Sequence, residues 1–273
     1  MIYENRVIAF IDILGFKNIV KDSIDKNGND IEDKIEMIKN AFNAIRDVWD
    51  LNVPQKSFLK EVKADSKKIN MFSDSIVISF RAEERSEIFY TLQEIQWMIG
   101  RLAKRGMFCR GVVEYGKLIH EDNMIFGPAL INAYEQEHNA KFPRIIVGKE
   151  ILDISEIAKA YWDRSSQERE YVEGLLEKDN DGVYFINYLK NAFGEFDDPE
   201  TDFINYLNSI YSASKIILDN QGGVDPEVYK KYQWLKDKYN KCVSYCKKPS
   251  FLAAIRQNQG DIIYKKYAEL LFF

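Results

Sequence analysis

Two aspartates are the residues of this chain best placed for metal chemistry. Asp12 and Asp74 lie in the segments 10–16 and 71–75, each at the end of a short apolar run that is typical of a buried strand. A carboxylate in such a place is costly to bury unless another group pairs with it. A divalent cation shared by both carboxylates would be a sufficient partner, and such a pair supports phosphoryl or nucleotidyl transfer.

The residues that follow Asp12 allow a tight turn directly after the first strand. The spacing of Ile13, Gly15 and Phe16 permits this turn, in which backbone N–H groups can face a polyphosphate. Metal ligands and phosphate donors would then lie in one short segment, which favours the same class of reaction.

Composition and charge restrict the class of protein. The 273 residues suit one catalytic domain with an elaboration, and 46% hydrophobic residues are enough for a sizeable core. The net charge of -5 argues against a global basic field, so no stable nucleic-acid partner is expected. Three cysteines without a CxxC pair argue against a disulfide framework, and two histidines argue against a histidine-based zinc site.

The sequence also bears on cellular location. It shows no signal peptide and no apolar run of about 18 residues. The cysteine usage fits a reducing compartment. We therefore expect a cytoplasmic protein without a membrane segment.

Hydrophobic periodicity predicts the order of strands and helices. Up to residue 147 the order is strand, helix, helix, strand, strand, helix, strand, strand, helix, strand. This order indicates an α+β ferredoxin-like palm whose sheet is mixed and mostly antiparallel, with flanking helices. The predicted strands are 6–11, 58–64, 70–81, 107–114, 117–120, 144–147 and 182–189. The predicted helices are 15–22, 31–51, 86–104, 128–141, 202–218, 226–247 and 249–271.

The predicted pattern changes from mixed to helical late in the chain. We expect a catalytic domain at 1–190 and a C-terminal helical extension at 191–273, packed on that domain or on a partner protomer. Asp74 is placed near a hairpin bend or at the start of the strand that follows. The turn of a second hairpin is placed at 115–116.

The ordered motifs within residues 5–190 resemble the class III nucleotidyl cyclases, the adenylate and guanylate cyclase superfamily. In that family a metal-binding Asp ends the first strand and is followed by Ile, any residue, Gly and Phe, as at 12–16 here. The second metal aspartate lies in a hairpin as Gly-Asp-Ser, and here Ser73 replaces the glycine. Residues 110–116 resemble the family's Arg-x-Gly-x-x-x-Gly hairpin, and 126–127 resemble its aromatic-glycine turn.

The residues that read a purine base in those cyclases are absent from this chain. Asn70 stands where the family has Lys or Glu, and Met124 stands where it has a base-reading Asp. On the next helix, Ile131 and Glu135 occupy the positions of the family's ribose-binding Asn and transition-state Arg. Metal aspartates without purine readers resemble the bacterial Pycsar-type antiphage cyclases, which make cyclic UMP or cyclic CMP.

The resemblance implies a two-metal nucleotidyl cyclase. Asp12, Asp74 and the carbonyl of Ile13 would hold two Mg²⁺ or Mn²⁺ ions, and an NTP (UTP or CTP favoured) would become a 3′,5′-cyclic mononucleotide and pyrophosphate. Asn132 and Arg144 are the nearest substitutes for the missing Asn and Arg. The resemblance also implies a homodimer with sites between protomers, and a separate cyclic-nucleotide effector protein. The implied nucleotide-binding residues are Leu14, Gly15, Phe16, Lys17, Asn70, Asn132 and Arg144.

Simpler interpretations of the same residues stand beside this one. Asp12 can be a helix N-cap, Asp74 a turn residue, and the acidic run 135–137 a solvated helix face. Two other functions fit the motifs: a nucleotide-binding sensor without turnover, and a palm enzyme that makes oligonucleotides or cyclic dinucleotides. The base also stays open, because the amide of Asn70 can read uracil or cytosine.

Overall fold

The computed structural model describes residues 2–49, 66–157, 168–196 and 198–273. The chain divides into two compact units, Met1–Met98 with Cys109–Ile186, and Ile99–Phe108 with Asn187–Phe273. The predicted domain boundary after residue 190 stays a prediction.

The first unit is built on a mixed sheet with helices. Its strands are β1 (Glu4–Ile13), β2 (Lys68–Phe72), β3 (Ser75–Arg81), β4 (Cys109–Glu121), β5 (Met124–Phe126), β6 (Ile145–Val147), β7 (Leu176–Lys178) and β8 (Tyr184–Ile186). Its helices are α1 (Phe16–Lys21), α2 (Glu32–Val48), the first part of α3 (Glu87–Ala103), α4 (Pro128–Asn139), α5 (Lys149–Ile157) and α6 (Glu168–Leu175).

The sheet order is β2-β3-β1-β4-β6-β8-β7, with β5 paired to β4. Strand β1 is antiparallel to both of its neighbours, β3 and β4, and only the β4–β6 pair is parallel among the strands described. Strands β1 to β4, with α1 and α2 in the first crossover and α3 in the second, have the ferredoxin-like βαββαβ arrangement. The predicted α+β fold with a mixed, mostly antiparallel sheet is confirmed.

Strand β1 is apolar because both faces of the sheet are covered there. Val7, Ala9, Ile11 and Ile13 point to one face and are buried. On the other face Ile8 packs in a core cluster with residues of β4 and α4, namely Val112, Leu118, Ala129 and Ala133. A strand covered on both faces reads as a continuous apolar run, which is why its position was predictable from sequence.

Two predicted hairpins are placed differently in the structure. The predicted strand 58–64 lies outside the described residues, and the predicted strand 70–81 is in fact the β2–β3 hairpin, which bends at 73–74. The predicted bend at 115–116 is wrong, because β4 runs unbroken through it and bends only at 122–123. Gly116 is needed for packing: a Cβ there would lie 3.2 Å from the Cβ of Ala129 on α4.

The second unit is helical, as predicted for the end of the chain. It contains the end of α3, a short 3₁₀ helix at Asn191–Glu195, and α7 (Pro199–Leu218), α8 (Pro226–Cys246) and α9 (Pro249–Ala268). Each of these three long helices has proline in its first turn, where the missing N–H costs no hydrogen bond. Its fully buried side chains include Tyr206, Leu207, Ile210, Leu235, Tyr239, Val243 and Tyr267.

The helices α5 and α6 and the strand β7 were not predicted from sequence. Within the described ranges, no helix combines the length and the apolar content that crossing a bilayer requires.

A buried carboxylate caps the start of α3. Glu168, the first residue of α6, has no exposed surface, and its Oε1 accepts a 2.8 Å hydrogen bond from the backbone N–H of Phe89. This places a carboxylate at the positive end of the α3 dipole. Burial nevertheless dominates and raises the pKa of Glu168 from its ordinary 4.5 to about 7.

We predict that Glu168→Gln stabilises the protein at pH 8 but not at pH 5. The folded state binds the Glu168 proton more tightly than the unfolded state, so wild-type stability falls as pH rises from 4.5 to 7. Glutamine keeps an acceptor for Phe89 without a charge. The gain at pH 8 should be on the order of 3 kcal/mol at most, from a shift of that size at about 1.4 kcal/mol per pH unit.

Urea unfolding followed by circular dichroism at both pH values measures this gain. Glu170→Gln, at an exposed position of the same helix, is the matched control and should show no pH-dependent difference. A Glu168→Gln effect of equal size at pH 5 and pH 8 would contradict the assigned titration.

Candidate active site

The two predicted metal aspartates meet at the end of β1. Asp12 is the next-to-last residue of β1 and is paired in register with Ser75 on one side and Arg110 on the other. Asp74 lies in the β2–β3 turn. Its backbone carbonyl accepts a 3.1 Å hydrogen bond from the N–H of Ile13. This bond fixes the turn against the strand, and both carboxylates are half-buried.

The turn that carries Asp74 has a left-handed residue. Ser73 has φ 54°, a backbone conformation that glycine adopts without cost and that side chains disfavour. This is the position at which the resembling family has glycine. Serine therefore stands here at a position whose backbone conformation favours glycine.

The electrostatics of the site show that its carboxylates lie close together. The pKa of Asp12 is raised to about 6, first by burial and then by the negative charges of Glu137 and Asp74, while Arg110 opposes the shift. A group whose charge is costly in this way is well suited to take up a cation.

Glu137 on α4 belongs to the site and was missed in the sequence. It is 1% exposed and forms an ion pair with the Nε of Arg110, which lies 3.6 Å from Oδ2 of Asp12. His138 Nδ1 lies 2.9 Å from Oε2 of Glu137. The interpretation of 135–137 as a solvated helix face is therefore wrong for Glu137.

A signal for Glu137 was present in the sequence. Ala129, Ala133 and Glu137 recur every four residues and so lie on one face of α4. The two alanines are buried against the sheet, so the third member of the series must be buried too. Small residues on a helix face were a sign of close approach to the sheet.

The turn after Asp12 has the shape that the sequence predicted. Gly15 has φ 73°, and its carbonyl accepts the N–H groups of Asn18 and Ile19, which starts α1 directly. Phe16 is buried edge-on against Phe42, with ring centroids 5.8 Å apart. Leu14 is half-buried and Lys17 is exposed. Their role in phosphate binding stays a prediction.

The remaining predicted nucleotide-binding residues are dispersed. Asn70 lies on β2, and Asn132 is exposed on α4. Arg144 is 3% exposed and its guanidinium is ion-paired with Asp179 and Asp181 in the β7–β8 turn. The structure therefore brings Asp12, Ile13 and Asp74 together, and it commits the side chain of Arg144 to other partners.

The carboxylates and carbonyls at the end of β1 suit a metal ion that takes some of its ligands from the protein and the others from a substrate. In the described part of the chain, no group of three or more His, Cys, Asp and Glu side chains is arranged to hold a metal. Mg²⁺ is commonly held by one or two carboxylates with water and substrate phosphates completing its coordination. Asp12 and Asp74 provide two such carboxylates, and the adjacent backbone provides carbonyls.

Comparison with known proteins gives a likeness in fold. No family model and no curated protein matches the chain. The crystal structure of the adenylyl cyclase CyaB from P. aeruginosa is similar with TM-score 0.43 and 11% identity, over 67% of this chain and 94% of that one.

A class III adenylyl cyclase-like ATP-binding protein from Pseudomonas aeruginosa is similar with TM-score 0.37 and 11% identity, over 63% of this chain. The match covers 40% of that protein, so this chain spans less than half of its length. A likeness at such identity concerns the fold alone and carries no activity with it.

We predict that Glu137→Gln weakens Mn²⁺ binding by roughly tenfold or more. The change removes one of the two carboxylate charges beside Arg110 and frees the guanidinium to approach Asp12, and both effects weaken the attraction of the site for a cation. Electron paramagnetic resonance of the free ion measures the dissociation constant.

Glu135→Gln is the matched control, because Glu135 is exposed on the same helix. It should leave Mn²⁺ affinity unchanged. An unchanged dissociation constant in folded Glu137→Gln protein would show that Glu137 does not contribute to the cation site.

Proposed function

We propose that this protein is a metal-dependent nucleotidyl cyclase that converts an NTP to a 3′,5′-cyclic mononucleotide and pyrophosphate. One observation carries the proposal: Asp12 and Asp74, far apart in sequence, lie together at the end of β1, where burial and the charges of Glu137 and Asp74 raise the pKa of Asp12. Buried like charges of this kind need a cation, and two carboxylates with a phosphate-facing turn suit nucleotidyl transfer.

Each residue has a definite task in the proposed reaction. Asp12, Asp74 and the Ile13 carbonyl would hold Mg²⁺ or Mn²⁺, which would supply acidification of the ribose 3′-hydroxyl and neutralisation of phosphate charge. The N–H groups of residues 14–17 in the following turn would orient the triphosphate, since the N–H of Ile13 donates to the Asp74 carbonyl. Arg110 contributes a positive charge beside Asp12. The 3′-oxygen gives its proton to water and bonds to the α-phosphorus, the bond from this phosphorus to the oxygen that leads to the β-phosphate breaks, and pyrophosphate leaves with that oxygen.

We further propose a pyrimidine substrate, UTP or CTP, and a role as an antiphage second-messenger enzyme with a separate effector protein. The support is the sequence resemblance to Pycsar-type cyclases, with Asn70 and Met124 in place of the purine readers. A homodimer belongs to this proposal. Ile131 and Tyr134 on α4, 60% and 52% exposed, give a second copy an apolar surface to cover.

A nucleotide-binding sensor without turnover is the alternative that a specific observation favours. Ile131 and Glu135 provide neither the ribose-binding amide nor the transition-state guanidinium of the resembling family. Arg144, the nearest substitute, is held by Asp179 and Asp181. A protein of this kind would bind an NTP with metal and release no pyrophosphate.

We predict that Asp12→Asn and Asp74→Asn each abolish product formation, with a loss of about a thousandfold or more. Removal of preorganised charge at a nucleotidyl-transfer site has effects of this size. The assay incubates purified protein with Mn²⁺ and each of the four NTPs separately and resolves the products by mass. A cyclic mononucleotide from UTP or CTP is the expected product.

Asp153→Asn, at an exposed position of α5, is the control and should retain full activity. If the wild type binds an NTP with metal but yields no product from any of the four, the sensor alternative replaces the cyclase. An oligonucleotide or a cyclic dinucleotide would point to the third kind of palm enzyme.

A further inference from the structure

A buried polar chain leads across the sheet to Asn70. Arg6 Nε lies 2.9 Å from Ser79 Oγ, Ser79 Oγ lies 2.8 Å from His120 Nδ1, and His120 Nε2 lies 2.7 Å from Asn70 Oδ1. Arg6, Ser79 and His120 are 2%, 0% and 5% exposed, whereas Asn70 is half-buried. We call these four residues the Asn70 relay.

The direction of every hydrogen bond in the Asn70 relay follows from the chemistry of its members. A guanidinium only donates, so Ser79 accepts from Arg6. Ser79 is fully buried, and the acceptor beside its hydroxyl proton is Nδ1 of His120, so Ser79 donates to His120. The imidazole is neutral, because burial and the charges of Arg6 and Lys68 lower the pKa of His120 to about 4. With Nδ1 accepting, the single ring proton lies on Nε2, which donates to the oxygen of Asn70.

This direction fixes the orientation of the Asn70 amide. Exchange of its oxygen and nitrogen would set an N–H donor against the N–H of His120 and leave that buried donor unsatisfied. Among the described residues the Asn70 side chain has no other hydrogen bond. The amide N–H groups are therefore its free end, and the relay polarises them further as donors.

Asn70 lies on the same face of the sheet as Asp12. Asn70 pairs with Val77, Val77 with Phe10, and Phe10 is two residues before Asp12 on β1. Two strand spacings and one step of two residues separate Asn70 from Asp12, about 12 Å between Cα atoms. Asn70 and Asp12 therefore belong to one face of the sheet.

An exposed aromatic side chain lies two residues from Asn70 on the same strand. Phe72 is two residues along β2, on the same face as Asn70 and in the row of Asp12. It is 85% exposed. An exposed aromatic ring next to a fixed donor is a suitable surface for a planar base to stack on.

We propose that the Asn70 relay makes Asn70 a fixed hydrogen-bond donor that selects uracil over cytosine in the substrate. In the proposed arrangement the amide faces the exocyclic atom at position 4, which lies across the ring from the bond to the ribose. It is a carbonyl acceptor in uracil and an amino donor in cytosine, so cytosine would oppose two donors. This inference rests on the proposed function, and Asn70 is its specificity-determining residue with His120 as a positioning residue.

The test measures binding of the non-cyclisable analogues α,β-methylene UTP and α,β-methylene CTP with Mg²⁺ by isothermal titration calorimetry. Wild-type protein should bind the UTP analogue about tenfold or more tightly, the size of one mismatched hydrogen bond. Asn70→Asp offers only acceptors and should reverse the preference. Asn123→Asp, at an exposed turn position, adds the same charge and should leave it unchanged.

Two variants of His120 test the positioning role. His120→Phe removes the donor that orients Asn70, and the preference should fall to within about threefold while some affinity for both analogues is kept. His120→Gln carries one acceptor and one donor and should restore part of the preference. Thermal unfolding by circular dichroism shows whether each variant folds, and the Asn70→Asp result stands independently if His120→Phe does not.

The outcomes separate this inference from the proposed function. Equal binding, a preference for the CTP analogue, or an unchanged preference in folded His120→Phe protein overturns the inference and leaves a cyclase in place. Failure of the wild type to bind either analogue overturns both. Tight and selective binding of the UTP analogue without turnover of UTP supports the inference and moves the protein to the sensor alternative.

Discussion

Strand β1 is hydrogen-bonded along both edges, and this double pairing determines where the groups of the candidate site lie. Its register with β3 and β4 sets Asp12 beside Ser75 and Arg110. The same register brings the β2–β3 turn to the end of β1, where the bond from Ile13 N–H to the Asp74 carbonyl holds it. A shift of one residue in this register would turn Asp12 to the opposite face of the sheet. The register of β1 therefore determines the position of the site as well as the packing of the core.

The charges at this place do not balance within the protein. Asp12 and Glu137 face one guanidinium, Arg110, with Asp74 beside Asp12, and burial together with the charges of Glu137 and Asp74 raises the pKa of Asp12. Structural ion pairs usually match their charges, since an uncompensated buried charge is strongly destabilising. The excess therefore favours a site that is completed by cations, and Glu137 sets how strongly Arg110 competes with them for Asp12.

Local patterns in the sequence were enough for β1, α2, α3, α4 and β6 and for the expectation that Asp12 and Asp74 meet, because each depends on short apolar runs or on a regular helical stripe. They failed where the role of a residue depends on contact with a residue far away in the sequence. Gly116 was interpreted as a turn residue although it makes room for Ala129. Arg144 looked available in sequence, and its partners Asp179 and Asp181 come together with it only through the β6–β8 pairing.

Asn70 shows the same dependence at the level of chemistry. An asparagine side chain offers a donor and an acceptor, so its type alone cannot distinguish uracil from cytosine. The residues that remove this ambiguity are spread over β1, β3 and β4, and only Ser79 belongs to the same hairpin as Asn70. Each is buried and each must satisfy its own hydrogen bonds, so together they leave one orientation for the amide. In this proposal, base selection therefore depends on the buried residues Arg6, Ser79 and His120 as much as on Asn70, which contacts the base.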